Sequence, residues 1–165
     1  MLRLAARRHP DDEELVQAGE ELSFALQELR ELARGIHPAV LTERGLEPAV
    51  RAVADRAPVP VELSVALDER LPGPVEAAAY YVVAEALTNV AKYACATGVS
   101  IGVERTNGHA RIEVRDDGVG GAAPARGTGL RGLADRVEAL GGRLTVDSPL
   151  GAGTTLRAEI PVAAG

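Results

Sequence analysis

Two alternating stretches joined by Asn107-Gly108 constrain this chain more than any other feature. Val99, Ile101 and Val103, then Ala110, Ile112 and Val114, place an apolar side chain at every second position, the period of a strand with one buried face. Asn and Gly both tolerate positive φ, so the dipeptide between the stretches marks a two-residue hairpin. The pair seeds an antiparallel sheet with one apolar face, and that face needs a covering layer.

The cover is found nearby. Residues 74–96 are apolar around most of a helical circumference, which predicts a long and largely buried helix. Val61, Leu63, Val65 and Leu67 read as a further strand, as do Leu144-Thr-Val146 and the set Leu156, Ala158 and Ile160. A glycine-dense loop from Gly118 to about Gly129 leads into a helix to Leu140, stopped by Gly141-Gly142. With one Phe, three Tyr and no Trp, the core is aliphatic and suits helices laid on a sheet. The expected fold is α/β: a two-layer sandwich with a mixed, mostly antiparallel sheet, preceded by an N-terminal helical segment.

That segment reads as one helix over 11–36. Pro10 and the run Asp11-Asp12-Glu13-Glu14 suit a helix start, where carboxylates meet the positive end of the dipole. Leu15, Ala18, Leu22, Ala25, Leu29, Leu32 and Ile36 follow at spacings of three and four, a heptad seam. Such a seam serves either a helix packed on its own domain or half of a dimeric bundle. Gly35 and Pro38 end the helix, and a shorter one begins near Gly45 with Pro48 in its first turn. Pro58-Val-Pro60 stops it. The expected division is therefore a helical segment over 1–57 and a sandwich domain over 58–165.

Composition excludes several function classes. A net charge of −6 over 165 residues opposes phosphate neutralisation, so no nucleic acid is expected as a partner. Cys95 is the single cysteine; no intrachain disulfide or cysteine metal cluster can form, which fits a reducing, cytoplasmic compartment. No apolar run approaches the roughly 20 residues that cross a bilayer, and the arginine-rich start lacks the apolar core of a secretion signal. The chain as given is expected to be soluble.

Three separated signals carry chemistry. The first is Glu85-Ala-Leu-Thr-Asn89-Val-Ala-Lys92-Tyr93. Glu85 and Asn89, four apart, share one helix face, with Lys92 a further turn on. A carboxylate and a carboxamide in an apolar helix need partners, and Mg²⁺ is one: it takes hard oxygens and keeps several waters. Asn89 is the candidate metal ligand, Glu85 the group that orients a water or takes a proton, and Lys92 a phosphate contact. Lys92 is also the one lysine among 18 basic residues. Alone, the pair reads as an N-capping or helix-surface Glu–Asn pair.

The second signal joins Asp116-Asp-Gly118-Val-Gly120-Gly121 to Gly127-Thr-Gly129-Leu-Arg-Gly132. Asp116 follows the alternating strand directly and can accept from an adenine amine, for which guanine has no equivalent donor. Gly118 and Gly120 let the backbone approach the base, and free amides at the start of the next helix suit phosphates. The third is Gly151-Ala-Gly153-Thr154, in which Thr154 can share a water with Asp116 and the base. Read singly, the Asp-x-Gly-x-Gly run and the last motif are turns. In this order the three describe a pocket for ATP and Mg²⁺ built without a Gly-x4-Gly-Lys-Ser/Thr loop.

From about 58 to 163 the chain resembles the catalytic ATP-binding domain of sensor histidine kinases. Glu85, Asn89, Lys92 and Tyr93 correspond to the N box; Asp116, Gly118 and Gly120, then Gly127, Gly129, Leu130 and Gly132, then Gly151, Gly153 and Thr154, correspond to the glycine boxes. Type II topoisomerases, heat-shock chaperones and mismatch-repair proteins share that fold. Leu29-Arg-Glu-Leu-Ala-Arg-Gly-Ile-His37-Pro38-Ala-Val-Leu41-Thr-Glu-Arg-Gly45-Leu46 is similar to the stretch joining dimerisation helices to the kinase domain in the nitrate-sensor and desaturase-regulator branch, where His usually stands in place of Tyr93.

The resemblance implies phosphoryl transfer from Mg-ATP to a histidine, relay to a response-regulator receiver domain, and a homodimer through the 15–36 seam. It also implies an acceptor His followed by an acidic residue, which this sequence lacks. His9 and His37 precede prolines, and His109 sits at the hairpin. The acceptor helix is therefore expected outside this chain, either because the chain is part of a longer kinase or because it is naturally short, and His37 reads as a linker residue. Two alternatives stay open: an anti-sigma-type serine kinase, and a nucleotide-binding and dimerisation module without kinase activity.

Overall fold

The computed structural model describes residues 39–122 and 128–162. The chain divides into two units at His37–Pro38, and all described residues belong to the second; the 11–36 helix and its seam lie outside them. The boundary expected at 57/58 falls within that second unit, at the turn before its first strand.

Among the described residues five strands form one sheet: β1 (Val61–Ala66), β2 (Val99–Thr106), β3 (His109–Asp116), β4 (Arg143–Asp147) and β5 (Thr154–Pro161). Their order is β1-β2-β3-β5-β4. Only β1 and β2 run parallel; the other pairs are antiparallel. The expected mixed, mostly antiparallel sheet is borne out. Asn107 and Gly108 adopt φ of 50° and 74°, as a two-residue turn between right-twisted strands requires.

Register converts the alternating sequences into apolar rows. Leu63, Ile101, Val114, Leu156 and Val146 lie side by side across all five strands, and Val65, Val103, Ile112, Ala158 and Leu144 form the next row. Ile112, Ala158 and Ile160 are fully buried, and burying one such isoleucine contributes about 1.5–3 kcal/mol. The opposite face is a ladder of charges, with Arg157 on Glu113 at 2.6 Å and Arg111 on Glu159 at 2.9 Å.

Helices cover the apolar face. α1 (Ala39–Arg44) and α2 (Leu46–Ala54) are separated by Gly45 at φ 88°, and Leu41, Leu46, Ala49 and Val50 share the core with the sheet. α1 was not expected, being six residues long and too short to show a period. α3 (Gly73–Asn89) buries Val75, Val82, Val83 and Leu87 among others, which agrees with its apolar circumference. α4 (Thr128–Glu138) adds Leu133 and Val137.

One ion pair joins these helices. Glu76, in the first turn of α3, is 3% exposed. It accepts from Arg70 Nη2 at 2.7 Å and Nε at 3.2 Å. Arg70 Nη2 also donates to Leu41 O at 3.1 Å, a carbonyl near the end of α1 that accepts from Gly45 N as well, at 3.1 Å. The hydrogen bond and charge of Glu76 raise the Arg70 pKa further.

Candidate functional site

α3 does not continue to residue 96 as the sequence predicts. It ends as an α-helix at Asn89, and Val90–Ala94 form a π turn closed by Cys95 in the left-handed region at φ 49°. Thr88 Oγ1 donates back to Ala84 O at 2.8 Å, a bond that bends helices from within. Ala94 O, a free carbonyl at the end of this turn, accepts from Val119 N at 2.8 Å, so the turn is tied to the loop after β3. Glu85 and Asn89 remain in α-helical phase on one half-buried face. Lys92 and Tyr93 sit on the π turn and are exposed, Tyr93 at 70%. Such turns are frequent at functional sites.

The next part of the site is built by strand register. Val61, Val99, Asp116 and Thr154 form one row across β1, β2, β3 and β5. Asp116 thus takes the next inward position after Ala110, Ile112 and Val114, and it is only 7% exposed. Its Oδ1 accepts from Gly118 N at 2.9 Å, and no other hydrogen bond reaches its carboxylate among the described residues. An aspartate in an apolar row with half its acceptor capacity unused is costly unless a donor arrives.

Gly118 could be nothing larger: a β-carbon there would lie 2.2 Å from Ala94 O. Gly120 lies in the same loop at φ 64°. Thr154, half-buried beside Asp116, approaches Ser148 Oγ at 2.9 Å. Ser148 Oγ in turn accepts from Ala122 N at 2.9 Å, and Ser148 O accepts from Gly121 N at 2.9 Å. Ser148 therefore anchors the loop after β3, and nothing in its sequence context marks it.

Asp117 also escaped the motif reading as a separate anchor. Its carboxylate accepts from the Thr97 hydroxyl, from Gly98 N at 3.1 Å and from Thr97 N at 2.7 Å. These bonds, the Thr97 hydroxyl first, hold its pKa below the ordinary value of 3.8. It fixes the turn between the π segment and β2.

α4 closes the site from the other side. A β-carbon on Gly129 would lie 1.9 Å from Glu85 Oε1, so the amino end of α4 rests directly on the Glu85 side chain. Leu130 is half-buried against the core. Gly132 has open space where a β-carbon would be, so only its backbone can matter. Gly127 lies outside the described residues.

Two groups of residues expected to act together are therefore assembled: Glu85 with Gly129, and Asp116 with Gly118, Gly120 and Thr154. Ala94 links them through α3. Asn89 shares the face of Glu85, while Lys92 and Tyr93 stand at the exposed rim. Among the described residues no three His, Cys, Asp or Glu side chains cluster as a metal site, and no helix is long and apolar enough to cross a membrane.

Residues 75–164 match the family described as "Histidine kinase-, DNA gyrase B-, and HSP90-like ATPase". The chain belongs to that family. Among curated relatives of this ATPase domain, the sensor histidine kinase NarS of Mycobacterium tuberculosis is 35% identical over 163 residues, covering 93% of this chain and 38% of the relative. The sensor histidine kinase MctS of Rhizobium johnstonii is 32% identical over 156 residues, covering 88% and 34%. The chain thus spans little more than a third of the length of either. The histidine kinase domain of a blue-light activated histidine kinase from Erythrobacter litoralis superposes with a TM-score of 0.58 at 26% identity, covering 70% of this chain and 60% of that one. These matches agree with a catalytic ATP-binding domain of the histidine kinase type.

Proposed function

We propose that this domain holds Mg-ATP between α3 and the amino end of α4. It then passes the γ-phosphoryl group to a histidine on a dimerisation helix absent from this chain, for relay to a response-regulator receiver domain. The observation that carries the reading is Asp116: a buried carboxylate whose free acceptor capacity suits the exocyclic amine of adenine. Thr154 beside it can share a water with the base, and Gly118 and Gly120 let the backbone lie close to it. Tyr93 flanks the base from the rim of the pocket, and Leu130 borders it on α4.

The donor set fits magnesium brought in by a nucleotide. Mg²⁺ binds through few protein oxygens plus phosphates and waters, and Asn89 supplies one amide oxygen where no acidic cluster exists among the described residues. Mg-ATP, when bound, supplies the transferable phosphoryl group. Lys92 and the free amides at the start of α4, those of Gly127 and Gly129, neutralise phosphate charge, the main task in this chemistry, while Gly132 lies one turn further on. Glu85 takes the proton from the acceptor histidine as its nitrogen–phosphorus bond forms, while the bond to the β–γ bridging oxygen breaks and ADP leaves.

His109 has no acceptor role in this reading. It is the one histidine among the described residues and begins β3, whereas Asp116 ends it. Seven residues of strand separate them by about 24 Å.

Incubating the chain with γ-labelled ATP and a supplied helix bearing a His-Asp or His-Glu pair tests the reading. Label on the helix, lost in Glu85→Gln, agrees with it. Label on a serine-bearing protein instead points to the anti-sigma-type activity, and bound nucleotide with no transfer to a non-catalytic module.

A further inference from the structure

The α3–α4 seam holds a second contact that the nucleotide reading leaves unused. The Arg136 guanidinium lies over the Tyr81 ring, 4.4 Å from the ring centre. Tyr80 meets the same ring edge-on, with centroids 5.6 Å apart and planes at 71°. Tyr81 is 8% exposed, so its ring is a fixed surface, and a cation over a desolvated ring face is held more strongly than over an exposed one.

Tyr81 stands four residues before Glu85, hence on the same face of α3 and about 6 Å away along its axis. Arg136 stands seven residues after Gly129, about 10.5 Å along α4 and again on one face. The contacts Tyr81–Arg136 and Glu85–Gly129 therefore lie along a single seam, with the two helices running in opposite senses.

We propose that Tyr81 and Arg136 are a positioning pair that sets where the amino end of α4 meets Glu85, and through it how the α4 amides face the phosphates of a nucleotide. This rests on the nucleotide-binding reading above. Leu133 and Val137 bury α4 against the core, yet apolar contact is non-directional and fixes helix register weakly. A cation drawn to one face of a buried ring is held at a defined place, so this contact is directional. Without it α4 stays attached but shifts along its axis, and the phosphate side of the site is disturbed. The base side is disturbed less, because Asp116 is placed by β3, by its strand neighbours and by Gly118 N, and of the residues assigned to the base only Leu130 stands on α4.

The test is calorimetry on the full chain with Mg-ATP and, separately, with adenosine. Arg136→Gln weakens Mg-ATP by about fivefold, the worth of one such contact, while adenosine affinity and the thermal midpoint change little. Arg136→Lys, which keeps a cation over the ring, and Tyr81→Phe, which keeps the ring, restore most of the Mg-ATP affinity. Equal loss of adenosine and Mg-ATP in Arg136→Gln, no loss of Mg-ATP, or no rescue by lysine overturns the positioning role while leaving nucleotide binding intact. A native chain that binds neither ligand overturns the nucleotide reading itself and the inference with it. Should Arg136→Gln not fold, Arg136→Lys and Tyr81→Phe still decide: a loss of about fivefold or more in Mg-ATP affinity in either one counts against the pair.

Discussion

Glu85 on α3 and Gly129 on α4 touch so closely that no side chain fits between them. A β-carbon at Gly129 would fall 1.9 Å from Glu85 Oε1, whereas at Gly132, one turn later, it would meet nothing within 4 Å. The two glycines therefore have different reasons to be glycine. Gly129 is required by contact; Gly132 offers only its backbone.

That difference predicts opposite outcomes for the same substitution. Gly132→Ala keeps the amide and gains helix propensity, so stability in urea denaturation rises by up to about 1 kcal/mol with nucleotide affinity retained. Gly129→Ala displaces either the Glu85 carboxylate or the end of α4. Its Mg-ATP affinity falls at least about tenfold, 1.4 kcal/mol, in calorimetry. Equal behaviour of the two variants would contradict the contact.

The Arg70–Glu76 pair predicts an asymmetry. Arg70→Ala leaves the Glu76 carboxylate, 4% exposed against 56% for Arg70, buried without its partner, and an unsatisfied buried acceptor costs roughly 1–3 kcal/mol or more when charged. Glu76→Gln leaves a solvated guanidinium that still donates to the Leu41 and Thr42 carbonyls. In denaturant unfolding Arg70→Ala therefore loses more stability than Glu76→Gln, and the double variant recovers part of the loss. The reverse order would mean that the carboxylate is not held by Arg70.

Asp117 predicts a pH dependence of known sign. Its folded pKa lies below its ordinary value of 3.8 because Thr97 and Gly98 donate to the charged form. The stability it contributes is fully present above the unfolded value and is lost as pH falls through the lowered folded value. The gap in unfolding midpoint between the native chain and Asp117→Asn is therefore constant from neutral pH to about 4 and narrows below it. A gap that widens on acidification would refute the assignment.

Much of this architecture is legible before any coordinates are. The period-two runs at Val99–Val103 and Ala110–Val114 specify inward rows, and Asn107-Gly108 specifies how they join. The same alternation carries Asp116 inward, one step past Val114, which is why a motif aspartate proves to be a buried one. What escaped is local or through-space. A π turn differs from an α turn by one hydrogen-bond step and has no apolar period of its own, so the sequence puts the end of α3 at 96 where the α-helix stops at 89. Ser148, Asp117 and Arg136 act on residues 20 or more positions away, Ser148 on Ala122, Asp117 on Thr97 and Arg136 on Tyr81. Neither spacing nor composition records such pairs. Glu76 reads as an ordinary helix-start charge until Arg70 is seen against it.

The central claim is that Asp116 reads an adenine base, and nucleotide selectivity in Asp116→Asn tests it most directly. Asparagine preserves an oxygen for Gly118 N but replaces the unused acceptor with an amide donor. Calorimetry should find that the native chain prefers Mg-ATP to Mg-GTP and that Asp116→Asn loses about tenfold to a hundredfold in Mg-ATP affinity, the worth of a hydrogen bond to a charged group. A native chain that binds both nucleotides alike, or a variant that keeps its affinity for Mg-ATP, would contradict the account.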